Sequence, residues 1–185
     1  LAYFFYEAKA NLPRRDCIRG DQGFLLDRKT FGQINGFDES LPFLEDLRLV
    51  AATPSQIKWQ LLPATVSTSA RRFETEGLQE RQTLNAIIVN NFLVGWDVFF
   101  ESLPGLYRNH KLNFCGKLAL FPILEGIQKL LQQSSAEWRK FFWRSTGVHV
   151  AANTWQLFFW LDARRAFLSG KSPEEIRPQW LDFFQ

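Results

Sequence analysis

Apolar and polar positions follow two different rhythms along this chain, and the change falls near residue 76. Residues 1 to about 10 are patterned as a helix, which Pro13 ends because the residue before a proline is pushed out of the α region. Residues 23–27 read as a short strand, apolar enough to lie inside a sheet. Residues 28–34 read as a short helix, stopped by Asn35-Gly36, a dipeptide suited to positive φ. A loop through Pro42 then delivers Glu45 and Asp46 to the first turn of a helix that runs to about Thr53, ahead of Pro54. Residues 58–62 and 65–69, on either side of Pro63, read as two further short strands.

From Glu76 onward the strand signals stop. Leu84, Ile87, Ile88, Phe92, Gly95 and Phe99 recur at helical spacing and predict one long amphipathic helix ending near Pro104-Gly105. Leu120, Ile123, Leu124, Ile127, Leu130 and Leu131 mark another. Ser134-Ser135-Ala136-Glu137 supplies a capping box for a helix presenting Trp138, Phe141 and Phe142. Residues 148–168 predict a further helix, with Gly170 placed as its C-terminal cap. Ser172-Pro173-Glu174-Glu175 announces a closing helix carrying Ile176, Trp180, Phe183 and Phe184, through a cap worth about 1 kcal/mol. The pattern therefore predicts an α+β, predominantly helical fold: a partial α/β front with a few short strands, then an all-helical C-terminal region. Three short strands are too few for a complete sheet.

Composition narrows the function classes. The 185 residues suffice for one sizeable core, or a core with a helical appendage. Hydrophobic residues make up 46%, with 19 Phe and 7 Trp, which excludes disorder and points to an aromatic core, an exposed apolar surface, or both. A formal charge of +3 suits an anionic small molecule or an anionic membrane surface, and is too weak to argue for nucleic acid. Cys17 and Cys115 lack metal-ligand spacing and read as buried thiols in a reducing compartment. His110 and His149 have no metal-type neighbours, and no Gly-x-Ser-x-Gly elbow is present. Polar residues interrupt both candidate membrane spans: Asn90, Asn91 and Asp97 in one, Lys117 and Glu125 in the other. No secretory signal peptide is visible at the start. The chain contains no Met and opens Leu1-Ala2-Tyr3-Phe4-Phe5, so the expectation is that it begins inside a longer reading frame.

Three polar signals stand among the apolar runs of the first half: Gly20-Asp21-Gln22-Gly23, Phe43-Leu44-Glu45-Asp46-Leu47 and Thr68-Ser69-Ala70-Arg71-Arg72. Taken singly each has a structural meaning. Acidic residues are favoured in any first helical turn, and arginine pairs are commonly solvated. Glu45 and Asp46 are adjacent, so they cannot flank a glycosidic bond from opposite sides as a hydrolase requires. A single carboxylate can still serve as a general base, and paired guanidiniums can hold phosphate by bidentate hydrogen bonds.

With Phe31 ahead of Gly36-Phe37, these signals form an ordered set that resembles the C-terminal half of the catalytic domain of glycosyltransferase family 2 enzymes, over about residues 15–100. The resemblance implies a GT-A-like front at residues 1–105, the acceptor and general-base half, and a helical extension at residues 106–185. It implies inverting, hexosyl-type transfer of a sugar from a nucleotide donor to a hydroxyl acceptor, which in some members is lipid-linked. Asp46 is then the catalytic base. Asp21, Gln22, Glu45, Arg71 and Arg72 are substrate-binding residues, the arginines near the diphosphate; Asp21 and Gln22 equally fit a second role, holding the loop that carries Asp46. The family's nucleotide-binding half carries an Asp-x-Asp site for Mg²⁺ or Mn²⁺. This chain has no Asp-x-Asp and no glycine-rich phosphate loop, so the metal is expected only with an upstream half. Alone, the chain is expected to be inactive. Ala51-Ala52-Thr53 also replaces the basic residues that the resemblance leads one to expect after the acidic helix.

Trp155, Phe158, Phe159 and Trp160 with Arg164-Arg165 have two readings, a membrane-surface helix or the core of a bundle. Core is preferred, because the aromatics occur around much of the helix. The expected location is cytoplasmic, with peripheral contact at the inner face of the cell membrane held open by analogy. The alternative function class is a non-enzymatic helical module for protein interaction or membrane-surface binding.

Overall fold

The computed structural model describes residues 1–41, 43–108 and 116–181. The helices are α1 (Ala2–Ala10), α2 (Arg28–Gln33), α3 (Glu45–Ala52), α4 (Arg71–Glu76), α5 (Leu78–Val94), α6 (Asp97–Arg108), α7 (Leu120–Gln133), α8 (Ala136–Ala152) and α9 (Trp155–Leu168). Three single 3-10 turns cover Arg15–Cys17, Gly20–Gln22 and Pro173–Glu175. Expectations for Pro42, His110, Cys115, Phe183 and Phe184 fall outside the described residues.

The expected α/β front is not formed. Among the described residues there is no strand beyond one isolated bridge residue, Leu118, and the fold is all-helical. Residues 23–27 and 58–69 carry no strand and have no backbone ladder. They meet instead through side chains, the Phe24 and Trp59 rings lying 5.3 Å apart. Residues 61–69 are all exposed, so the apolar spacing read as strand pattern buries nothing there. Pro63 removes a donor from the same stretch.

The chain divides into two compact units. The first joins residues 1–67 to residues 152–185. Its core is Ala8, Cys17, Trp155, Phe159 and Leu181, with Phe5, Leu12 and Ile176 packed against it. Arg14 lies over the Trp155 ring, 4.2 Å from guanidinium carbon to centroid. Burial pushes the Cys17 thiol up to about 11, which keeps it inert at neutral pH. Helix α9 ends as Gly170 predicts. With Gly170 at φ +68°, its N–H donates to Phe167 O and that of Lys171 to Ala166 O, both at 3.1 Å, closing a Schellman motif.

Among the described residues the closing helix is not formed. Ser172 and Glu175 do make the cap, the Ser172 N–H donating to Glu175 Oε2 at 2.7 Å, but only the turn Pro173–Glu175 follows. Pro178 is the reason: it disfavours α geometry at Arg177 and brings no N–H for the next turn. Asp162 takes up the freed backbone. Its buried carboxylate accepts from Gln179 N–H at 3.1 Å, Trp180 N–H at 3.1 Å and Leu181 N–H at 3.3 Å, pinning Leu181 into the core.

The second unit is residues 68–151. Leu84, Ile88, Val94, Trp96, Phe99, Leu103, Leu118, Ile123 and Phe142 are buried in it. Trp96 is at the middle of the aromatic packing, with ring centroids 5.0 Å from Phe142, 5.9 Å from Phe99 and 6.4 Å from Trp138. The single long helix expected through Phe99 is two. Gly95, at φ +74°, ends α5 in the left-handed region, and Asp97 opens α6. Pro104 lies inside α6, which continues to Arg108. Ser135, not Ser134, caps α8, its hydroxyl accepting from Trp138 N–H at 3.1 Å. The helix expected over 148–168 is divided between α8 and α9 by Asn153-Thr154.

Candidate functional site

Two of the three polar signals meet in the first unit. The chain turns at Gly20–Gln22, and the Gly20 N–H donates to Asp46 Oδ2 at 2.8 Å, across 26 positions of sequence. The approach is close. A Cβ on Gly20 would fall 2.9 Å from Asp46 Cβ, nearer than side-chain carbons come, so a residue without one is needed there. Gln22 works inside its own turn: its side-chain oxygen accepts from Arg19 N–H at 3.3 Å and its amide donates to Cys17 O at 3.0 Å. Gln22 is thus a structural support of the loop that holds Asp46. Asp21 is exposed on the same turn.

Asp46 lies in the first turn of α3, with Glu45 exposed before it. The helix dipole favours both carboxylates there. Leu44, the residue at the helix N-cap, has φ +64° and ψ 28°. A leucine in left-handed geometry costs about 1–2 kcal/mol, and such outliers concentrate where a chain positions functional groups. With Oδ2 fixed by Gly20, Asp46 Oδ1 accepts no hydrogen bond among the described residues, and the side chain is half-buried. One oxygen is oriented and the other is open.

The other end of α3 is held by a residue that sequence patterns did not single out. Arg15 Nη2 donates to Val50 O at 2.7 Å and to Thr53 O at 2.5 Å, placing a cation on the last carbonyls of the helix. Replacing Arg15 with Met should lower stability by about 1 kcal/mol, read as a shift of the urea midpoint at unchanged slope. Arg15→Lys should recover part of it. No local signal in Arg14-Arg15-Asp16 announces this long-range contact.

Arg71 and Arg72 belong to the second unit and open α4. With Ser69, Thr75 and Glu76 they line an open concavity of about 320 Å³. Neither guanidinium pairs with a carboxylate among the described residues; the ion pairs there are Arg14–Asp16, Arg81–Glu76 and Lys117–Glu80. Thr75 is the lining residue that sequence reading missed. It follows Arg71 by one helical turn, and its hydroxyl donates to Arg71 O at 2.9 Å. Two exposed guanidiniums and two hydroxyls suit a phosphate-bearing ligand. Among the described residues no three His, Cys, Asp or Glu side chains come together, so these residues do not fit a Mg²⁺ or Mn²⁺ site.

No family model, curated protein or solved structure matches the chain.

Proposed function

We propose that this chain contributes the general-base part of an inverting, nucleotide-sugar-dependent glycosyltransferase of the family 2 type, with Asp46 as the base. The hydrogen bond from Gly20 N–H to Asp46 Oδ2 carries this reading, because it joins the glycine-aspartate-glutamine turn to the acidic helix start. In the proposed step an acceptor hydroxyl attacks the anomeric carbon of the donor sugar. The new C–O bond forms as the bond to the diphosphate oxygen breaks, with inversion, and the hydroxyl proton passes to Asp46 Oδ1. The backbone N–H on Oδ2 keeps the carboxylate oriented for that transfer. Strain at Leu44, beside the acidic pair, supports a functional role for this turn.

Within the second unit, a phosphate-bearing ligand is the class that the Arg71–Arg72 concavity suits best. Donor binding also requires a nucleotide-binding segment, since the chain has neither an Asp-x-Asp pair nor a glycine-rich phosphate loop. The 185 residues alone should show no turnover. The test is nucleotide-sugar hydrolysis and transfer by the polypeptide that carries this sequence in its cell, compared with its Asp46→Asn form at matched melting temperature. A rate lost in that form supports the base; equal rates remove Asp46 from the chemistry.

A further inference from the structure

Helix α9 is apolar on two sides. Trp155, Phe159, Ala163 and Ala166 are buried in the first unit's core. On another side Leu157 is 68% exposed, Trp160 and Leu161 40% each, and Leu168 69%. Positions 157, 160, 161, 164 and 168 follow helical spacing and make one stripe along the helix. The aromatics that surround this helix in the sequence are thus shared between a core and a solvent face.

Charge on the helix is as one-sided as the stripe. Arg164 belongs to the stripe, its guanidinium carbon 5.9 Å from the Trp160 ring centroid, and Arg165 is held beside it by a hydrogen bond to Gln179. Asp162 is the helix's one carboxylate; it is buried and bound to backbone N–H groups. Every exposed charge on α9 is therefore positive.

We infer that this stripe docks on an anionic lipid surface, with α9 lying in the plane of the interface. Leu157, Trp160, Leu161 and Leu168 enter the boundary between headgroups and acyl chains, where tryptophan is favoured. The two arginines stay at the level of the lipid phosphates. No helix among the described residues is long and apolar enough to cross a membrane, so the contact is peripheral. A second copy of the chain is a poorer occupant. Pairing two such stripes face to face brings guanidinium toward guanidinium with no exposed acid on either helix.

The test is co-sedimentation of the full chain with vesicles of phosphatidylcholine alone, or of phosphatidylcholine mixed with phosphatidylserine. Binding is expected to the mixed vesicles and to fall with added salt. Arg164→Gln should weaken it about fivefold, and the double variant Leu157→Ser/Leu168→Ser by more than about tenfold. Both should leave the helical circular dichroism unchanged, since these side chains face solvent. No binding to mixed vesicles, equal binding to both kinds, or undiminished binding by the double variant would overturn the proposal. So would self-association of the wild type that the double variant abolishes without any vesicle binding, which would assign the face to a second copy.

Discussion

Asp46→Asn should lower kcat for sugar transfer by about 10²–10⁴-fold, the usual contribution of a general base, with little change in melting temperature. The amide keeps an oxygen for the Gly20 N–H, so the turn at Gly20–Gln22 stays tied to α3. What it loses is the capacity to take a proton. Gly20→Ala makes the complementary test. The added methyl carbon meets Asp46 Cβ at 2.9 Å and must push the carboxylate aside while leaving it chemically intact. A displacement near 1 Å should reduce turnover by about 10²-fold. Glu45→Gln, altering an exposed neighbour, should have the smallest effect of the three. Should Gly20→Ala retain full activity, orientation of Asp46 by the glycine turn would be discarded.

Asp162→Ala should destabilise the first unit by about 3 kcal/mol, because three backbone N–H groups lose a charged acceptor together. In a chain of this size that corresponds to a fall of roughly 6–12 °C in melting temperature. Amide exchange should accelerate first at Gln179, Trp180 and Leu181. Asp162→Asn should recover part of the loss, since all three N–H groups reach the one oxygen Oδ2, which an amide oxygen can replace without the charge. Unaltered exchange at those three amides in Asp162→Ala would mean that Leu181 and Ile176 hold the segment by packing alone.

Signals that are self-contained in a few residues are legible in the sequence. Asn35 and Gly36 both adopt positive φ, Glu45 and Asp46 open a helix, and Gly170 closes one. A strand is a different kind of object, because its hydrogen bonds belong to a partner that the local pattern does not specify. Residues 58–69 have strand-like spacing and remain unpaired. Helix breaks were missed for a related reason. Gly95 fits a helical register as well as any small residue, and only its left-handed φ reveals the end of α5. The cap at Ser172 announces a helix start but carries no information about Pro178, which stops the helix after one turn. At the candidate site the acidic pair and the arginine pair were visible as motifs. The Gly20–Asp46 bond and the Arg15 contacts were not, because they span 26, 35 and 38 positions.

The first unit is assembled from both ends of the sequence, with α1 packed on α9, whereas the second unit is a single uninterrupted stretch. On the ribosome the order of maturation should accordingly run against the order of synthesis. Residues 68–151 form one contiguous unit whose sequence is complete before α9 emerges, while Phe4 and Phe5 of α1 must wait for their partners Phe167 and Phe159 on that helix. Translation intermediates of this protein should therefore offer a chaperone their N-terminal aromatic residues long after the middle of the chain has closed.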